Sequence, residues 1–308
     1  MFSGVIPILA TPFHDDESLD LRSWQRMLEF NLALGVNGFT ILGVLGESNR
    51  LSDEERHTLV ETAVAVVGGR APVIVGTSAT GTRTVEYLSG VAQDLGAAGV
   101  MVAPPKEPAP GDERIFELYR RTARNLAIPI VLQDHPASTD VHMTASLVAR
   151  LVAEVPSITC VKAEAVPTAP KIRHLREALA GTPTTILSGL GALYAPFDLE
   201  AGCDGFNTGF AFPEVLQAIL AAGRMGDWRR VHQIYSRFAA LIVFEQQPGV
   251  AIRKEILRRR GLLSSPRVRH PGSTISTAQS TQLDALLART LPGVDITRPV
   301  AAEQLLPT

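Results

Sequence analysis

The chain has 308 residues, of which 45% are hydrophobic and 19% charged, enough for one large core or two modest ones. A formal net charge of -2 excludes the strongly basic surface of a nucleic-acid or anionic-membrane binder. Two cysteines, Cys160 and Cys203, are too few for a disulfide framework or a clustered metal site, and no basic-then-apolar leader opens the chain, so a reducing cytoplasm is the expectation.

From the N-terminus onward one pattern repeats. Short apolar runs fall at residues 5–9, 38–42, 72–76, 99–103, 129–132, 158–161, 184–187 and 205–207. Between them lie amphipathic stretches of helical length at 22–33, 54–67, 84–95, 113–125, 145–155 and 169–179, then a weaker one at 193–201 and a clear one at 214–222. The short runs read as strands buried on both faces, because they do not alternate with polar residues. Acids at Asp53, Glu54, Glu55, Asp112 and Glu113 mark helix starts, and Gly35, Gly96 and Gly202 mark helix ends. Eight such units predict an α/β fold, a (β/α)8 TIM barrel over residues 1–225. An open doubly wound sheet also alternates, but the nearest small-residue cluster, Ser188, Gly189, Leu190 and Gly191, lacks the dinucleotide-binding fingerprint and reads as a loop. Helical stretches at 228–243, 250–260 and 278–290 predict a C-terminal helical extension, residues 226–308, packed on the barrel.

Lys162 interrupts the sixth strand. It is one of only four lysines against twenty-five arginines. An unpartnered buried ammonium is expensive, so such a lysine either pairs, Glu164 being the nearest carboxylate, or gives up its proton. A neutral amine at a strand end can attack a carbonyl and form a Schiff base. Barrel chemistry gathers at the C-terminal ends of strands, and three other ends carry unusual polar or glycine content. After the second strand come Gly43, Val44, Leu45, Gly46, Glu47 and Ser48. After the fifth come Gln133, Asp134 and His135, and after the eighth Asn207, Thr208 and Gly209. Each has a plainer reading. Gly43 and Gly46 serve a tight turn, Glu47 caps the following helix, and Asp134 and His135 bond loop backbone.

With those residues in view, the chain resembles the dihydrodipicolinate synthase/N-acetylneuraminate lyase family, from Phe2 through the helices after the barrel. The opening from Gly4 to Phe13 is similar to that family's first strand and loop. Gly43-Val44-Leu45-Gly46-Glu47 resembles its substrate loop, usually Gly-Thr-Thr-Gly-Glu, and Lys162 falls at its Schiff-base lysine. The departures are informative. Gln133 stands where the synthase pattern has a proton-relaying tyrosine, and Ser138 where it has an arginine. Val44 and Leu45 replace two threonines, and the tyrosine expected after the fourth strand is absent from residues 104–108. These changes look more like the branch that dehydrates 2-keto-3-deoxy sugar acids, such as 2-keto-3-deoxyarabonate dehydratase.

The resemblance implies a class I lyase, dehydratase or aldolase, in which Lys162 captures pyruvate or a longer 2-keto acid. Asp134 and His135 are the candidate proton shuttles. Gly43 to Ser48, Gln133, Gly189 and Asn207 to Gly209 are the candidate substrate contacts. No metal or organic cofactor is required, since the iminium is the electron sink. A homodimer or homotetramer is implied, with no nucleic-acid or membrane partner. Two alternatives stand beside it: 4-hydroxy-tetrahydrodipicolinate (dihydrodipicolinate) synthase, and a catalytically silent keto-acid-binding regulatory protein.

Overall fold

The computed structural model describes residues 1–106, 111–247 and 249–306. Strands and helices alternate: β1 (Gly4–Pro7), α1 (Leu21–Ala33), β2 (Phe39–Ile41), α2 (Asp53–Val67), β3 (Val73–Gly76), α3 (Thr82–Asp94), β4 (Gly99–Val102), α4 (Asp112–Ala123) and β5 (Ile130–Asp134). A single-turn helix α5 (Pro136–Thr139) and α6 (Ala145–Glu154) follow. Next come β6 (Ile158–Ala163), α7 (Thr168–Ala178), β7 (Thr185–Ser188), α8 (Ala195–Glu200), β8 (Gly205–Thr208) and α9 (Pro213–Arg224). The C-terminal extension carries α10 (Trp228–Glu245), α11 (Ala251–Arg259) and α12 (Thr277–Thr290).

All eight strands are parallel, in the order β1-β8-β7-β6-β5-β4-β3-β2. The two ends of this sheet meet at a parallel bridge between Ile8 and Thr40, where the Leu9 N–H donates to the Thr40 carbonyl at 2.9 Å. The result is a nearly closed (β/α)8 barrel. Its interior is filled by Phe2, Ile6, Ile74, Met101, Val131, Cys160 and Leu187, while alternate strand residues such as Val5, Val73, Val100 and Val161 pack outward on the helices. Most strands are therefore apolar on both faces, as the unbroken runs predict, while β2 and β8 turn Thr40 and Asn207 inward, where they hydrogen-bond to one another.

Local signals fix the helix ends. Ser52 caps α2 and forms a reciprocal box with Glu55, and Gly35, Gly96 and Gly202 take positive φ just past α1, α3 and α8. The weak seventh stretch forms only six residues of helix in α8. The loop expected after β5 begins with the single turn of α5. α10 packs on α8 and α9, and α12 packs on α10. Among the described residues no helix is long and apolar enough to cross a membrane.

Candidate active site

Period-two alternation decides which groups reach the barrel interior. Val131 and Cys160 point inward. Gln133 and His135 on the β5 side, and Lys162 and Glu164 on the β6 side, continue those inward rows to the strands' C-terminal ends. A cavity of about 330 Å³ opens there, lined by these four residues together with Thr208 and the side of the Val44-Leu45 loop.

Lys162 is 2% exposed, and its Nζ lies 3.1 Å from Glu164 Oε2. The same oxygen accepts from Gln133 Nε2 at 2.8 Å, and Oε1 accepts the Leu190 N–H at 3.1 Å. Burial pushes the Glu164 carboxyl up, but the charges of Lys162 and His135 and these two donors outweigh it and hold the group below its ordinary range. Gly189 sits against that carboxylate. A Cβ there would come within 2.1 Å of Glu164 Oε1, so no side chain fits. The pairing with Glu164 is present, and so is open space beside the amine. The two do not exclude one another.

His135 stands half-buried at the cavity wall, with Nδ1 2.7 Å from Ser138 Oγ. Burial pulls its pKa below the usual 6.5, with Lys162 adding to the effect and Glu164 opposing it. Asp134 requires a correction. It is fully buried but points out of the barrel, where Oδ2 pairs with Lys171 Nζ of α7 at 2.9 Å. Adjacent residues on an extended strand face opposite ways, so Gln133 and His135 reach the cavity and Asp134 cannot.

The loop after β2 is tied down from behind. Glu47 adopts a left-handed φ of 52°. It pairs with Lys254 Nζ at 2.5 Å and Arg50 Nη1 at 2.7 Å, and accepts the Arg269 N–H at 3.0 Å. Glu47 thus anchors the loop to the C-terminal extension and does not cap α2, a role Ser52 fills. Thr11 Oγ1 donates to the Gly46 carbonyl at 2.6 Å, and Gly43 packs against Ile8 and Met101. Val44 and Leu45 face the cavity without the hydroxyls of threonine. Ser48 does not line the cavity; its carbonyl accepts from Arg56. Asn207 also stays outside, deeper in the barrel, donating to the Ile6 carbonyl at 3.1 Å and Thr40 Oγ1 at 2.7 Å.

A buried lysine beside a carboxylate, at the C-terminal mouth of a barrel, narrows the field, and the dihydrodipicolinate synthetase family profile matches residues 1–290. The chain belongs to that family. It is 34% identical over 293 residues to the L-2-keto-3-deoxyarabonate dehydratase of Azospirillum brasilense, covering 94% of each chain. It is 29% identical over 291 residues to the 4-hydroxy-tetrahydrodipicolinate synthase of Chelativorans sp., covering 93% and 98%. The dihydrodipicolinate synthase structure from Rhodopseudomonas palustris matches with a TM-score of 0.89 at 34% identity, over 94% of this chain and 97% of that one. A prophage protein of the same family from E. coli K12, in complex with pyruvate, matches with a TM-score of 0.87 at 28% identity, over 94% and 99%.

Dihydrodipicolinate synthetase family members form Schiff bases with keto acids, and the pattern from Gly43 to Glu47 lies at the cavity in this member. The strand-five departures also have physical consequences. Gln133, in the tyrosine position, is committed to Glu164, and Ser138, in the arginine position, holds the His135 ring. The stretch after β4 where a tyrosine is missing runs into residues 107 and 108, which lie outside the described residues. Three contributors went unrecognised in the sequence. Glu164 entered only as a possible ion-pair partner, although its i, i+2 spacing from Lys162 on a strand signals a shared face. Arg253 and Glu245, which reach the cavity from the C-terminal extension, gave no sequence signal.

Proposed function

We propose that the chain is a class I Schiff-base lyase acting on a 2-keto acid, and that its reaction is dehydration of a 2-keto-3-deoxy sugar acid. The observation that carries this reading is the enclosed Lys162–Glu164 pair opening on a cavity that His135 also lines. Glu164 relays the proton that Lys162 sheds to the keto oxygen, which needs it to leave as water. The amine lone pair forms a bond to C2 of the keto acid, and the carbinolamine loses water to give an iminium. That cation draws electrons from C3, and neutral His135 accepts the C3 proton. The enamine pair then expels the C4 hydroxyl, which takes the proton back from His135 and leaves as water. Hydrolysis of the conjugated iminium returns the amine of Lys162. Gln133 keeps the Glu164 carboxylate in place throughout.

Dehydration is favoured over carbon-carbon cleavage or synthesis by the altered strand-five loop and by the 34% identity with a keto-deoxyarabonate dehydratase. The second reading is 4-hydroxy-tetrahydrodipicolinate synthase, in which the same enamine adds to an aldehyde. Relatives bearing that name recur at 29–30% identity, but Gln133 and Ser138 stand at two of the positions where this chain departs from the synthase pattern.

Borohydride trapping across pyruvate and 2-keto-3-deoxy acids, followed by intact mass, tests the reading. The expected result is a covalent increment in the parent that is absent from Lys162→Ala. No increment with any keto acid leaves the binding-protein alternative standing. Product analysis then separates the reactions. Loss of water is expected; cleavage to pyruvate plus aldehyde means an aldolase, and condensation with aspartate semialdehyde means the synthase.

A further inference from the structure

We propose that Gln246, in the turn that follows α10, hydrogen-bonds to the hydroxylated tail of the substrate and so sets a preference for a sugar acid over a plain 2-keto acid. The inference rests on the keto-acid reading above and names the residue that selects among such acids.

Gln246 stands at the exposed rim of the cavity that holds Lys162 and Glu164, and reaches it from the C-terminal extension. A Cβ on Gly191 would fall 1.6 Å from Gln246 Nε2, so the carboxamide rests on the bare α-carbon of that glycine. The left-handed φ of 64° at Gly191 favours glycine by itself, but any side chain there would also displace the amide. The Gln246 N–H donates to the Val243 carbonyl at 3.1 Å. Among the described residues neither Nε2 nor Oε1 of its side chain has a hydrogen-bond partner, whereas the neighbouring Gln247 has its amide oxygen engaged by Gln279 Nε2 at 3.1 Å. A seated carboxamide with its donor and its acceptor both uncommitted suits hydroxyl groups, which donate and accept in turn.

The rim beneath the amide lies one strand from the reacting carbon. β7 pairs with β6, Leu187 standing opposite Lys162, and Leu190, Gly191 and Ala192 follow it in three left-handed steps, φ 48°, 64° and 67°. Backbone strained in this way persists where its surroundings hold it. Here the Leu190 N–H is fixed at 3.1 Å on Glu164, the carboxylate that pairs with Lys162. Neighbouring strands run about 5 Å apart. The last hydroxyl of a five-carbon acid joined to Lys162 through C2 extends roughly 5 Å from that carbon, at about 1.5 Å a bond. The tail therefore spans the step from β6 to the β7 rim. Leu190, Gly191 and Ala192 bring no polar side chain to that stretch of wall, and Gln246 supplies from the extension what the loop lacks.

The test compares a five-carbon 2-keto-3-deoxy sugar acid with 2-ketopentanoate, which has the same carbon chain without the C4 and C5 hydroxyls, and with pyruvate, which has no tail. Gln246→Leu keeps the bulk and removes both polar atoms. The sugar-acid concentration that half-saturates borohydride trapping should then rise roughly 5- to 50-fold, the contribution of one or two hydrogen bonds between neutral groups. Pyruvate and 2-ketopentanoate should stay at their parental values, which also reports that the variant is folded. An unchanged value for the sugar acid, or an equal rise with all three acids, overturns the proposal. If Gln246→Leu aggregates through its exposed apolar side chain, Gln246→Ala carries the same comparison.

Should the parent form no adduct with any keto acid, the Schiff-base reading falls and the tail site is read separately. The measurement is then the rise in melting midpoint that the sugar acid gives beyond that of 2-ketopentanoate in Lys162→Ala, with and without Gln246→Leu. A surplus that disappears with the second substitution upholds the site; one that persists, or no surplus in either protein, overturns it.

Discussion

Among the described residues two lysine–glutamate pairs are buried, and they are put to different uses. Lys162 lies 3.1 Å from Glu164, and Lys254 lies 2.5 Å from Glu47; both lysines are at most 2% exposed. Lys254 is sealed from solvent. It donates to the Arg267 carbonyl at 2.6 Å, and its ammonium sits 4.3 Å from the centre of the Phe13 ring. Burial pushes it down to about 8 in spite of Glu47. Lys162 has one pairing partner and an open cavity on its other side. Ion pairing is thus common to a structural clamp and a reactive centre. What separates them is whether a substrate carbon can reach the nitrogen.

If access is the difference, a group that meets the substrate only from across the cavity should control rate without controlling capture. His135→Asn should lower kcat/KM on a dehydrated substrate by roughly 100- to 1,000-fold, while pyruvate is still trapped on Lys162. The pH profile gives the sign. Burial pulls the imidazole below 6.5, so the neutral base persists to more acidic pH and the parent's acidic limb lies below that value. The limb should vanish in His135→Asn. A variant that retains the limb would move the base elsewhere, with Glu164 first in line.

Lys254→Met cuts the other pair. It should leave trapping on Lys162 intact but cost about 3 kcal/mol of stability, the price of a carboxylate stripped of a buried partner. Arg50 and the Arg269 N–H still hold Glu47 and keep the loss from running higher. The lysine also leaves a signature in pH. Its folded value near 8 lies below the usual 10.5, so between those values the unfolded chain binds the extra proton and parental stability rises with pH. That slope should flatten in Lys254→Met. Loss of trapping at unchanged stability would contradict the contrast between the two lysines.

The barrel was legible because strands covered on both faces write uninterrupted apolar runs, and Lys162 was legible because a charge inside such a run stands out. The same uniformity hid the phase of the fifth strand. With residues 129–132 apolar on both faces, nothing in the sequence says whether the odd- or even-numbered side chains turn inward, so Asp134 and His135 looked equivalent. Lys254 and Arg253 were hidden for another reason. They stand in a helix rich in basic residues, and helical periodicity does not tell which turn reaches a barrel mouth assembled from strands far away in sequence. Glu47 read as a cap because it precedes α2. Only the folded chain brings the extension round behind the loop and gives it a cation.

The phase of the fifth strand yields the smallest expected effect. Asp134 lies outside the barrel wall, one residue before His135, and burial raises its pKa against the opposing charge of Lys171. Asp134→Asn keeps the shape and removes the charge. Lys171 is 15% exposed and retains the Met143 carbonyl, so it is not left stranded. The expected cost is therefore about 1.5 kcal/mol of stability, the low end for a hydrogen bond to a charged group. Activity should change by less than about threefold, under 1 kcal/mol in barrier. Melting curves and kcat on one preparation check both halves. A hundredfold fall in kcat with an unchanged melting midpoint would mean that Asp134 serves the cavity after all, and that the inward row on β5 is the one containing Leu132.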